Sequence, residues 1–123
     1  MRLLVLAMVV VLVACASAAP GTPRADRDVL TLEEIDGSDQ PNAYDLVRTL
    51  RPQWLRSRGP SSINNENPIM VYVDGNRMGG PETLSLVPSL SIEEMRFLSP
   101  SEAQSRYGLN HTNGAIVILT RPG

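Results

Sequence analysis

Pro68-Ile69-Met70-Val71-Tyr72-Val73-Asp74-Gly75-Asn76-Arg77-Met78 is the stretch on which the fold turns. Its first half is an apolar run with three β-branched residues and a tyrosine, and it lacks the alternation of a strand wetted on one side. Such a run predicts a central strand covered on both faces. Asp74-Gly75 is a favoured pair for a tight hairpin, so Asn76-Arg77-Met78 is expected to return as a short antiparallel partner. Asp74 is accordingly read as a turn former and not as a carboxylate base.

Downstream, Ala115-Ile116-Val117-Ile118-Leu119 repeats the pattern and predicts a second strand apolar on both faces. Between the two, Ser91-Ile92-Glu93-Glu94 has the spacing of a helix-capping box, with Leu90 and Met95 placed as a hydrophobic staple. A turn of helix is expected there, leading into a strand over Met95-Arg96-Phe97-Leu98. Ser99-Pro100-Ser101-Glu102 is another such box, with proline at the first helical position. This helix is expected to run to Tyr107 and to be capped by Gly108.

Upstream, Val29-Leu30 reads as a short strand and Thr31-Leu32-Glu33-Glu34 as a capping box that opens a helical turn. Asn42 can cap a helix carrying Ala43, Val47 and Leu50 on one face, and Pro52 ends it near Arg51. Residues 57–67, SRGPSSINNEN, form a polar loop. Strands alternate with short helices, so the expected class is α+β: a small mixed β-sheet with short helices packed on it.

The first residues read as an address. Arg2 precedes an unbroken apolar run from Leu3 to Val13, too short to cross a hydrocarbon core of ~30 Å as a helix. A positive start, a short apolar stretch and small residues make an export signal, for which Ala14-Cys15-Ala16 and Ala16-Ser17-Ala18 offer ordinary Ala-x-Ala cleavage sites. Leu12-Val13-Ala14-Cys15 resembles the bacterial lipobox, which implies that Cys15 is acylated and becomes the first residue after cleavage. Acyl chains contribute ~0.8 kcal/mol per buried methylene, so a multiply acylated Cys15 is a stable lipid anchor. Ala16 follows in place of the aspartate that retains proteobacterial lipoproteins at the inner membrane, which implies the outer membrane. The expected organisation is a lipoprotein signal peptide over 1–14, a flexible tether over 15–27 and one domain over 28–122.

Composition narrows the function. The 123 residues include 11 Lys plus Arg, all of them arginine, against 13 Asp plus Glu, for a net charge of −2. That balance lacks the basic excess of a nucleic-acid binder. One cysteine and one histidine leave no set of ligands for a metal, and no cofactor motif is present. His111 sits in the polar stretch YGLNHTNG and is read as a solvated loop residue; nothing in the spacing pairs it with Ser99, Ser101 or Ser105. No enzyme is expected. Trp54 is read as a core aromatic. Arg48, Arg51, Arg56 and Arg58 fall on and just after one helix, either as a solvated face that complements the helix C-terminus or as a docking patch for acidic partners or headgroups.

Four pieces in order resemble the plug domain of TonB-dependent outer-membrane receptors, in the form found in SusC-like nutrient receptors. They are IMVYVDGNRM (69–78), LSIEEMRFLSP (90–100), SEAQSRYG (101–108) and TNGAIVILTR (112–121), preceded by a matching helix in NAYDLVRTLRPQWL (42–55). The resemblance implies a plug-like domain. The sequence given ends at Gly123, just past the last piece, and ADRDVLTLEEI (25–35) has no convincing TonB-contacting box. The expectation is therefore a plug-like fold standing alone as a lipoprotein without the barrel. It would be a non-enzymatic binding or adaptor module on the periplasmic side of the outer membrane, with a barrel or another envelope protein as partner. The alternative is a nutrient-binding lipoprotein, which a pocket lined by Trp54, Tyr72 and Tyr107 would favour.

Overall fold

The structure, a computed structural model, describes residues 27–56 and 68–123. Five strands form one sheet in the order β1-β4-β5-β2-β3: β1 (Val29–Leu30), β2 (Met70–Val73), β3 (Asn76–Gly79), β4 (Ile92–Leu98) and β5 (Ala115–Thr120). β2 and β5 are parallel and every other pair is antiparallel, so the sheet is mixed and the class is α+β. Three helices accompany it: α1 (Leu32–Gly37), α2 (Ala43–Leu50) and α3 (Pro100–Tyr107).

The two apolar runs occupy the middle of the sheet because only there are both faces covered. Successive side chains point to opposite faces. Ile69, Val71, Ile116 and Ile118 enter a larger core with Leu46, Val47, Trp54, Leu84 and Met95. Met70, Tyr72, Ala115 and Val117 enter a smaller one with Leu98 and Ala103. Among the described residues, α1, α2 and the 3₁₀ turns Pro52–Leu55 and Pro81–Leu86 supply the first core, whereas α3 supplies the second.

Local chemistry sets the boundaries. Asp74 and Gly75 both have positive φ, 49° and 85°, the backbone of a type I′ hairpin turn. Asn42 accepts the Asp45 N–H at 2.9 Å and opens α2, whose Ala43, Leu46 and Val47 are fully buried. The capping boxes of α1 (Thr31 with Glu34) and α3 (Ser99 with Glu102) form with both reciprocal hydrogen bonds.

The capping-box spacing at Ser91 is not used. The strand starts at Ile92, and the Ser91 hydroxyl donates to the Pro88 carbonyl at 2.8 Å within a 3₁₀ turn over Ser89–Ser91. Pairing of Ile92 and Glu94 with β5 gives the backbone a ladder that a single helical turn would forfeit. The staple also fails, since Met95 is buried while Leu90 is exposed. The expected signal, Cys15, the tether up to residue 26, the polar loop over 57–67 and Arg58 lie outside the described residues, while Arg27, at the tether's end, is held by its carbonyl to Trp54.

Candidate functional site

The second face of the sheet holds the densest polar and aromatic cluster. Tyr72 on β2 stacks on Tyr107 at the end of α3, with ring centroids 3.9 Å apart and planes 7° from parallel. The Arg106 guanidinium lies 5.5 Å from the centre of the Tyr107 ring, within reach of a cation–π contact. His111, from the loop after α3, completes the group. Its Nδ1 lies 2.9 Å from the Gly108 carbonyl and 3.2 Å from that of Leu109. Two acceptors place a hydrogen on that nitrogen, and in that tautomer Nε2 accepts from the Tyr72 hydroxyl at 2.7 Å.

The sequence reading of His111 as a solvated residue is therefore wrong. It is 3% exposed: its ring lies 5.9 Å from that of Tyr72 and 5.8 Å from that of Tyr107, and its two nitrogens are satisfied by Tyr72 and by loop carbonyls. Ser99, Ser101 and Ser105 are not among its hydrogen-bond partners. The polar neighbourhood in sequence concealed a partner lying 39 residues upstream.

Nor does a Trp54–Tyr72–Tyr107 pocket form. Trp54 is buried in the first core, stacked near Phe97 at 6.0 Å, with its indole N–H donated to the Arg27 carbonyl at 2.9 Å. Tyr72 and Tyr107 lie on the other side of the sheet. The sequence placed Trp54 in the core correctly, and the sheet keeps it from the tyrosines.

The arginines divide. Arg48 is exposed, with Asp45 at the 4.0 Å limit of an ion pair, and Arg56 is exposed. Arg51 is turned inward: its guanidinium donates to the Leu50 carbonyl at 3.0 Å, to the Val29 carbonyl at 3.0 Å and to Glu34 at 2.7 Å. It fastens β1 and α1 to the end of α2. Arg51 thus serves the fold, Arg48 and Arg56 are exposed, and Arg58 lies outside the described residues.

Two shallow clefts open elsewhere. One, of about 420 Å³, lies between the segment after α1 and the 3₁₀ turn before β4, with Ile35, Asp36, Asp39, Pro41, Pro88 and Leu90 in its lining. The other is polar and runs past Arg27, Gln53, Phe97 and Ser99. Among the described residues no group of three or more His, Cys, Asp or Glu side chains is placed to hold a metal. No helix among them is long and apolar enough to cross a membrane.

Part of this chain is similar to a TonB-dependent receptor. Over 75 residues it is 33% identical to the TonB-dependent receptor SusC of Bacteroides thetaiotaomicron. The likeness takes in 56% of this chain and 8% of the receptor, so the chain spans a small fraction of the relative it matches. No family model matches. The match supports the plug-like resemblance drawn from the four ordered sequence pieces.

Proposed function

We propose that the chain is a non-enzymatic, plug-like binding or adaptor domain of the bacterial envelope, tethered through lipid on Cys15. The observation that carries this reading is the likeness to the TonB-dependent receptor SusC, joined to the placement of the motifs. The Asp-Gly pair makes the β2–β3 turn, the segment ending at Ser99-Pro100 makes β4 and its helix start, and the Asn-Gly segment leads into central β5. What the receptor does as a whole does not pass to a chain that matches 8% of it.

The domain would act by presenting surface at the outer membrane to a barrel or another envelope protein. The nutrient-binding alternative is weakened by the sheet that stands between Trp54 and the two tyrosines. The test combines lipidation and capture. The full chain should take up radiolabelled palmitate and sediment with outer membranes, and Cys15→Ser should do neither. Cross-linking in intact envelopes should give a discrete adduct with an outer-membrane protein. A Cys15→Ser protein that remains acylated, or a wild-type protein with no adduct, would sink the reading.

A further inference from the structure

The stretch Leu84 to Leu90 turns apolar side chains both ways. Leu84 and Val87 are buried, while Leu86 is 72% and Leu90 81% exposed, with Pro88 exposed between them. Single exposed leucines are ordinary. Here they line up on one short segment beside a cleft, which is the arrangement that marks interaction surfaces.

Pro41, Pro88, Leu90 and Ile35 are the apolar part of the cleft's lining. The segments around Pro41 and Pro88 are bound to each other through the backbone: the Ser89 N–H donates to the Pro41 carbonyl at 3.1 Å and the Ala43 N–H to the Val87 carbonyl at 2.9 Å. The surface is therefore preformed, which spares a partner the cost of ordering it. Its margin is acidic. Asp36 takes the guanidinium of Arg121, which is also held by the Ile92 carbonyl at 3.0 Å. Asp39 is exposed at the same cleft and makes no ion pair among the described residues.

We propose that this cleft docks an extended segment of a protein partner, with aliphatic side chains against Pro41, Pro88 and Leu90 and an arginine or lysine against Asp39. Charge complementarity selects the basic residue, and the capture of Arg121 by Asp36 is the same recognition made within the chain. Leu86, two residues before Pro88 in sequence, is exposed as well. This inference rests on the reading of the domain as a binding module and names the surface it would use.

The test is a titration of the isotopically labelled full chain at low ionic strength, followed by amide NMR. The probes are acetyl-Leu-Val-Arg-Leu-Val-amide, the same peptide with Glu for Arg, and free arginine amide. The arginine peptide should shift the amides of Ile35, Gln40, Ser89 and Leu90 and bind roughly fivefold more tightly than the glutamate peptide. Asp39→Asn should erase the difference between the peptides, and Leu90→Ser should abolish binding; both positions are exposed, so the fold should persist. Shifts confined to another face, equal affinity for both peptides, arginine amide binding as well as the peptide, or self-association through Leu90 would each overturn the proposal. Envelope cross-links unchanged by Leu90→Ser would overturn it too, while leaving the binding-module reading in place.

Discussion

The Tyr72 hydroxyl meets His111 Nε2 at 2.7 Å, joining β2 to the loop after α3 on the face of the sheet against which α3 packs. Tyr72→Phe keeps the ring stack with Tyr107 but leaves the buried Nε2 without its donor. A stranded buried acceptor costs about 1–3 kcal/mol. Urea melts should show a loss in that range for Tyr72→Phe. A variant as stable as the parent would mean that the contact does not hold the loop.

Gly114 precedes β5 with φ at 88°, and a Cβ there would run into the Leu98 carbonyl and come within 3.0 Å of the Phe97 ring. Gly75 has a similar φ, 85°, with open space around it. Gly75→Ala is expected to cost about 1 kcal/mol, from backbone strain alone. Gly114→Ala adds a collision with backbone and should cost more than ~2 kcal/mol. Thermal or urea denaturation in which the two rank equally would remove the close approach.

Arg51 and Arg48 lie one turn apart yet differ in kind. Arg51→Ala removes donors to two backbone carbonyls and to Glu34, and is expected to cost about 2 kcal/mol. Arg51→Lys should recover little, since one ammonium cannot replace the forked contacts. Arg48→Ala should stay within about 0.5 kcal/mol, because its pair with Asp45 is long and exposed. Equal denaturation midpoints for the Arg48 and Arg51 variants would dismiss the clasp.

Acid should weaken the fold through three carboxylates. The Thr120 hydroxyl and then its N–H hold Asp74 below the ordinary aspartate value. Burial pushes Glu34 up, but the Thr31 N–H and the Arg51 guanidinium outweigh it, leaving a net depression. The Ser99 N–H and hydroxyl lower Glu102. Because these groups bind protons more weakly folded than unfolded, their stabilisation is complete above the ordinary carboxylate range. It fades as pH falls through their folded values. Carbon-detected NMR should find Asp74 titrating below ordinary aspartate, and Thr120→Val should raise its midpoint. A wild-type midpoint at or above the ordinary value would refute the link.

Much of the sheet was legible because β2 and β5 sit in its centre, where burial on both faces writes continuous apolar runs. The hairpin turn and the caps at Thr31, Asn42 and Ser99 were equally readable, since each is a contact within a few residues. What escaped depends on distant partners. The Ser91 box was overridden by pairing with β5, His111 was buried by a tyrosine far upstream, and Arg51 was drawn inward by Val29 and Glu34. The 3₁₀ turn over Pro81–Leu86 carries no periodicity long enough to read, yet it brings Leu84 into the core and leaves Leu86 outside.

β5 is last in sequence and central in space, flanked by β4 on one side and β2 on the other. A chain emerging from the ribosome N-terminus first would have its β2–β3 hairpin and β4 ready with nothing to join them. Ile116 and Ile118 belong to one core, Ala115 and Val117 to the other, so neither can close before this strand arrives. Closure of the two cores is thus deferred by topology until β5 has been made. The same wiring makes the parallel β2–β5 pairing, a contact between strands far apart in the chain, the step on which both cores wait.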